Sequence, residues 1–195
     1  MEFTKKELRD LFLAWLILSL AFALIFAGTQ NILSYYFLTI LLISGLTAGI
    51  GFVLHELMHK FVAQRYKLKA EFRALYKMLF LGLAMSVFGF IFIAPGAVFI
   101  RGFLTKERNG KISIAGPLTN MVLALVFLIP FLLIETSGTL NLFLSLGFRI
   151  NALLGAFNMI PVMPIDGAKI LQWNKTIYWI TLTIAAAMFV LSLYL

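Results

Sequence analysis

The chain has 195 residues, 62% of them hydrophobic and only 12% charged, with a mean hydropathy of +1.01 and a formal net charge of +8. That balance excludes an ordinary water-soluble domain and describes an integral membrane protein. With no cysteine, disulfides and thiolate ligands are excluded too.

In chain order, the first apolar span covers residues 11–27, after Lys5, Lys6 and Arg9. It lacks the short core and small-residue cleavage site of a signal peptide, so it is expected to stay in the mature protein. The second covers residues 32–54, with Gly45, Gly49 and Gly51 read as close helix packing, and leads into Lys60, Arg65, Lys67, Lys69, Arg73 and Lys77. An apolar stretch at 78–103 follows, interrupted at Pro95-Gly96. Three more spans lie at 112–134, 140–160 and 176–195, each able to supply the roughly 20 residues a crossing needs.

The basic residues gather on alternate connections. Arg101, Lys106, Arg108 and Lys111 precede the 112–134 span, and Lys169 and Lys175 separate the last two, while residues 28–34 and 135–139 hold no Lys or Arg. The positive-inside rule makes the basic side cytoplasmic. A pI near 9.9 also suits a nucleic-acid binder, but charge that flanks membrane helices points to anionic headgroups of the lipid bilayer and not to nucleic acid.

A single crossing by residues 78–103 would put Arg101 to Lys111 outside. That stretch is therefore expected to enter and return, as a helix out and a strand-like segment from Ala97 to Phe103 back, broken at Pro95-Gly96. The expected fold is an all-α polytopic membrane protein forming a single domain over residues 1–195. It has about five full transmembrane helices plus a re-entrant, possibly strand-containing segment, or else six spans. Non-helical backbone at membrane depth survives only inside protein or against a wet cavity.

The only two histidines fall in one pentapeptide, His55-Glu56-Leu57-Met58-His59. Residues four apart share a helix face, so two imidazoles can grip one zinc ion, with Glu56 placed to activate the attacking water. Catalytic zinc takes three protein ligands, and here the third must be a carboxylate. Glu2, Glu7, Asp10, Glu71 and Glu107 read as solvated charge in basic-rich segments, and Glu135 lies on the opposite side. Asp166 closes a Pro-rich turn that begins at Asn158, on the histidines' side; an Asp-Gly pair also reads simply as a turn.

His55-Glu56-x-x-His59, Gly116-Pro117-Leu118-Thr119-Asn120 opening a later span, and Asn158-x-x-Pro161 leading to Asp166-Gly167 together resemble the site-2 protease family of intramembrane zinc metalloproteases. The resemblance implies one zinc held by His55, His59 and Asp166, with Glu56 as the water-activating base and Asn158 helping to hold substrate. This chain has Ala168 where many members have a second glycine, and no segment is long or polar enough for the PDZ or CBS domains of some relatives.

The expected activity is hydrolysis of peptide bonds within or next to the transmembrane segments of membrane-anchored proteins, at the cytoplasmic side of the cell membrane. A strand edge at Ala97, Val98, Phe99 and Ile100 would hold the unwound substrate by β-augmentation, although a hairpin serving only packing explains the same residues. Asn120 faces the site or bridges helices. Arg149, near the middle of the 140–160 span, pairs with a carbonyl cluster, lines a water path or snorkels. A membrane zinc transporter, an inactive scaffold and a membrane lipid-amide hydrolase share the ligand pattern. A single ligand cluster speaks against a transport path, and the intact Glu56 against the scaffold.

Overall fold

The computed structural model describes residues 1–90 and 95–195. The elements are α1 (Lys5–Ala27), α2 (Tyr35–Ser44), α3 (Ile50–Arg65), β1 (Lys69–Ala74), α4 (Tyr76–Val87), β2 (Gly96–Arg101), α5 (Lys106–Leu133), α6 (Gly138–Phe157), α7 (Asp166–Trp173) and α8 (Lys175–Ser192). A π-turn at Gly45–Gly49 joins α2 and α3 into one apolar helix. With α1, α5, α6 and α8 it makes five helices long and apolar enough to cross a bilayer, so the protein is a multi-pass membrane protein.

Helix starts follow local chemistry. The side chains of Thr4, Ser34, Thr105 and Asn174 accept from the third backbone N–H of α1, α2, α5 and α8 in turn. One expectation is corrected here. Gly116-Pro117 does not open a helix, because the Thr105 cap starts α5 ten residues before Gly116 and Pro117 lies inside it. A proline supplies no N–H to the carbonyl four residues back, so Ser113, which lines the site described below, keeps a carbonyl without that intrahelical donor.

The π-turn has a packing cause. Trp15 of α1 presses on it, and a Cβ at Gly49 would overlap the indole and the Ser19 hydroxyl. The wide turn disturbs the regular ladder, and the Trp15 indole N–H donates to the Gly45 carbonyl at 2.9 Å.

Residues 78–103 divide as helix and strand. At about 1.5 Å per residue the 12 residues of α4 rise about 18 Å, short of a roughly 30 Å hydrocarbon layer. The chain comes back as β2; residues 91–94, which the re-entrant expectation includes, lie outside the described residues. β2 pairs antiparallel with β1, Phe72 opposite Val98 and Ala74 opposite Gly96. β1 was not expected, since residues 69–74 read as a basic loop.

The Leu75 N–H bonds the Pro95 carbonyl, which fixes the hydrogen-bonding phase of the ladder. Arg73–Ala97 and Glu71–Phe99 are then bonded pairs, and Gly96, Val98 and Ile100 turn their N–H and C=O groups to the far edge of β2. Among the described residues no strand occupies that edge.

Among the described residues a small apolar cluster packs α3 and β1 on Ile112 of α5, and two larger cores hold the helices. One joins α1, α2, α3, α4 and α6 with Phe72 of the sheet; the other joins α5, α6, α7 and α8 around Met159, Ile170 and Tyr178. Both leave the start of α5, the end of α3 and the turn before α7 in contact at one end. Gly49→Val is expected to destabilise the fold by about 1–3 kcal/mol through overpacking against Trp15, read as a lower melting temperature in detergent; an unchanged melting temperature would refute this account of the π-turn.

Candidate metal centre

His55 and His59 stand one turn apart on α3, and Asp166 opens α7. The Nε2 atoms of the two histidines are 3.0 Å apart, and Asp166 Oδ2 lies 3.4 Å from the first and 2.9 Å from the second. Tetrahedral zinc with bonds of about 2.0–2.1 Å keeps its ligand atoms about 3.3 Å apart. The three residues are buried, at 4%, 7% and 7% exposure.

The partners of the other ring nitrogens make this more than proximity. His59 Nδ1 donates to the Ile112 carbonyl at 2.8 Å, and His55 Nδ1 donates to Asn120 Oδ1 at 2.6 Å. Asn120 is fixed in that orientation because its Nδ2 donates to the Gly51 carbonyl and to Asn151 Oδ1, while Asn151 Nδ2 is tied to the Gly147 carbonyl. Both Nε2 atoms therefore present lone pairs to one another and to a carboxylate oxygen. Three acceptors converging in a buried space require a cation, and two imidazoles with one carboxylate suit zinc.

Other side chains shape the site. Lys169, one turn along α7, holds Asp166 Oδ1 at 3.1 Å and leaves Oδ2 to the histidines. A Cβ at Gly116 would overlap the Nε2 atoms of both histidines, so only glycine lets α5 approach this closely. The Gly167 N–H donates to the Asn158 carbonyl at 2.7 Å and closes the Pro-rich turn; Ala168 lies in the first turn of α7.

His55, His59 and Asp166 open onto a cavity of about 210 Å³ shared with Glu56, Asn158, Lys169 and the strand residues Gly96, Ala97, Val98 and Ile100. Glu56 is buried, and its Oε2 has no hydrogen-bond partner among the described residues. A carboxylate oxygen left bare beside three convergent ligands is where a proton acceptor for an incoming water belongs.

The chain is 44% identical, over 91% of its length and 89% of the relative's, to a protein of Methanocaldococcus jannaschii named "Putative zinc metalloprotease". It belongs to a zinc metalloprotease family. A second protein of that organism, named zinc metalloprotease, is 36% identical over 63% of this chain and 31% of its own length. A Bacillus subtilis protein also named "Putative zinc metalloprotease" is 28% identical over 71% of each chain. No family model matches the chain, and no solved structure does.

The remaining expected site residues of this metalloprotease distribute unevenly. Asn158 lines the cavity and donates to the Leu154 carbonyl at 2.9 Å. Asn120 is fully buried, engaged with His55, Gly51 and Asn151. Phe99 points to the opposite face of the sheet, where the Arg73 guanidinium lies 5.6 Å from its ring centroid. Arg149 is exposed on α6 and lines neither this cavity nor the smaller one between His55 and Leu154. Sequence reasoning missed Asn151, whose sign is an amide within a hydrophobic span, and Lys169, three residues after Asp166. The Ile112 carbonyl left no sign, because any residue carries one.

Two outcomes follow for metal binding. Asn120→Leu is expected to lower zinc affinity about 10- to 100-fold by freeing the His55 ring, and Gly116→Ala to lower it at least as far by displacing both histidines. Titration of the metal-stripped protein with zinc measures both; wild-type affinity in either variant contradicts the assignment.

Proposed function

We propose that this protein is an intramembrane zinc endopeptidase that hydrolyses peptide bonds within or next to transmembrane segments of membrane-anchored proteins. The observation that carries this reading is the sharing of one cavity by three convergent ligands, the unpartnered Glu56 oxygen and the free edge of β2. The motif resemblance to site-2 proteases supports it, as do the names of the relatives.

His55, His59 and Asp166 would hold one zinc ion. When bound, zinc supplies a Lewis acid that polarises the scissile carbonyl and makes water a nucleophile near neutral pH. Glu56 takes the proton from the attacking water and returns it to the leaving amine as the C–N bond breaks. Asn120 acts on the metal through His55, and Lys169 through Asp166, each by fixing a ligand's orientation. Asn158 holds the substrate backbone beside the metal with its Oδ1 and its remaining amide proton.

A substrate helix keeps its carbonyls in internal hydrogen bonds and must unwind before it can be cut. The outward N–H and C=O groups of Gly96, Val98 and Ile100 take up the unwound segment as an added strand, with Ala97 and Phe99 completing the β2 surface. The metal centre lies at the end of the bundle where Lys67, Lys69, Arg101, Lys106 and Lys111 cluster, so cleavage proceeds at the cytoplasmic side of the cell membrane.

Cleavage of a detergent-solubilised single-span substrate tests the reading, with bound zinc measured in parallel. Glu56→Gln is expected to retain about one zinc per chain and to lose about 10²- to 10⁴-fold in kcat. If wild type binds zinc yet cuts none of several substrates, the protease reading fails and transport, lipid-amide hydrolysis or an inactive scaffold takes its place. Val98→Pro removes an outward strand donor and is expected to raise KM with zinc retained; unchanged cleavage in that variant refutes the strand-addition step.

A further inference from the structure

Three charged groups near the N-terminal end of the fold are fully buried, and the metal chemistry uses none of them. Glu7 and Asp10 of α1 and Lys60 of α3 are each 1% exposed. The sequence reading placed both carboxylates among solvated charges, and the structure corrects that. Glu7 Oε2 pairs with Lys60 Nζ at 2.5 Å, and its Oε1 accepts the Phe72 N–H at 2.9 Å. Asp10 Oδ2 accepts the Ala74 N–H at 3.2 Å, and its Oδ1 accepts the Tyr76 hydroxyl. Lys60 also donates to the Glu2 carbonyl and lies 4.0 Å from the Phe3 ring centroid.

The geometry of these bonds is specific. Phe72 and Ala74, like Ala70, turn their N–H groups away from β2, and they stand opposite Val98 and Gly96, whose groups face the cavity that holds Glu56. One carboxylate thus touches the outer edge of β1 and, through Lys60, the residue next to the metal ligand His59. Desolvating an ion pair is costly, and an apolar pair of similar volume would pack α1 on α3 as well. An apolar pair would not accept the N–H groups of β1. That edge would then be left either unsatisfied or open to strand addition on the wrong side.

We infer that Glu7, Asp10 and Lys60 are positioning residues that clasp the outer edge of β1 at Phe72 and Ala74 and thereby set β2 at its working distance from the metal centre. The inference rests on the proposed reading that β2 receives substrate. It makes the first ten residues part of the substrate-binding apparatus, although they lie far in sequence from the metal motif. Strand addition is thereby blocked at the Phe72 and Ala74 donors and left open at the edge that faces Glu56.

Two double variants separate the acceptor function from simple packing. Glu7→Gln with Lys60→Met keeps an oxygen for the Phe72 N–H and no buried charge; Glu7→Leu with Lys60→Met keeps neither. Both are expected to retain zinc. The Leu/Met pair is expected to raise KM about tenfold or more with kcat within about twofold, as the loss of a charge-assisted bond implies, and the Gln/Met pair to stay near wild-type KM. Loss of folded enzyme would instead lower kcat at constant KM. Hydrogen exchange in peptides covering 69–74 and 96–101 supplies a readout independent of cleavage and is expected to speed up in the Leu/Met pair alone.

Unchanged KM and unchanged exchange in the Leu/Met pair overturn the clasp, as does a fall in kcat alone. If wild type cuts no substrate while exchange in both strands accelerates as expected, the protease reading falls and the clasp of the sheet stands.

Discussion

Everything at the metal centre depends on two imidazole rings being turned so that their unprotonated nitrogens meet. Neither ring turns itself: the Ile112 carbonyl takes one Nδ1–H, and the Asn120 amide, held by Gly51 and Asn151, takes the other. Both partners come from α5, so the packing of α5 on α3 is a condition of the site. That packing is close only because Gly116 has no side chain to place between the rings. Inside a bilayer there is no bulk water to satisfy a misplaced amide, which leaves this network few alternative arrangements.

A second constraint is the exposed backbone of a strand at the level of membrane helices. Of four strand edges in a two-stranded sheet, two are used by the mutual pairing of β1 and β2. On the outer edge of β1, Glu7 and Asp10 from α1 accept the Phe72 and Ala74 N–H groups. The last edge opens into the cavity that contains Glu56, where polar surroundings tolerate it. Under the proposed reading the arrangement turns a liability of sheets to use, since the donors of β1 at Phe72 and Ala74 are taken while the edge of β2 faces the cavity.

The five spans and the convergence of His55, His59 and Asp166 were legible because they rest on signals that composition and spacing carry: uninterrupted apolar length, histidines four apart, and a carboxylate on the same side of the membrane. The Pro95-Gly96 break likewise announced a change of direction. β1 was invisible because Lys69, Glu71 and Arg73, three of its six residues, are charged. Their side chains project from one face of the sheet while Ala70 and Phe72 are buried on the other, and so short an alternation reads as a basic loop. Glu7, Asp10 and Lys60 were misread for a related reason. A charge close to a helix end near the membrane boundary is usually solvated, and only the three-dimensional return of β1 against α1 supplies the partners that bury it. Pro117 misled in another way, since it is equally at home in a helix's first turn and in a membrane helix whose neighbours compensate for its missing donor.

The placement of chemistry within the fold follows from these pieces. α1, α3 and the sheet are tied by buried charges, whereas α3, α5 and α7 are tied by His55, His59, Asp166 and their hydrogen-bond partners. α3 belongs to both sets: His59 faces Asp166 and its neighbour Lys60 faces Glu7, about 100° apart around the same turn. A displacement of the sheet is thereby felt at the residue beside a ligand, and a displacement of the ligand helix at the sheet. Rigid coupling of this kind suits a reaction in which an unwound peptide must lie within a few ångströms of Glu56 and the metal at once. It also explains why charged side chains, costly to bury, stand where apolar ones would pack as well.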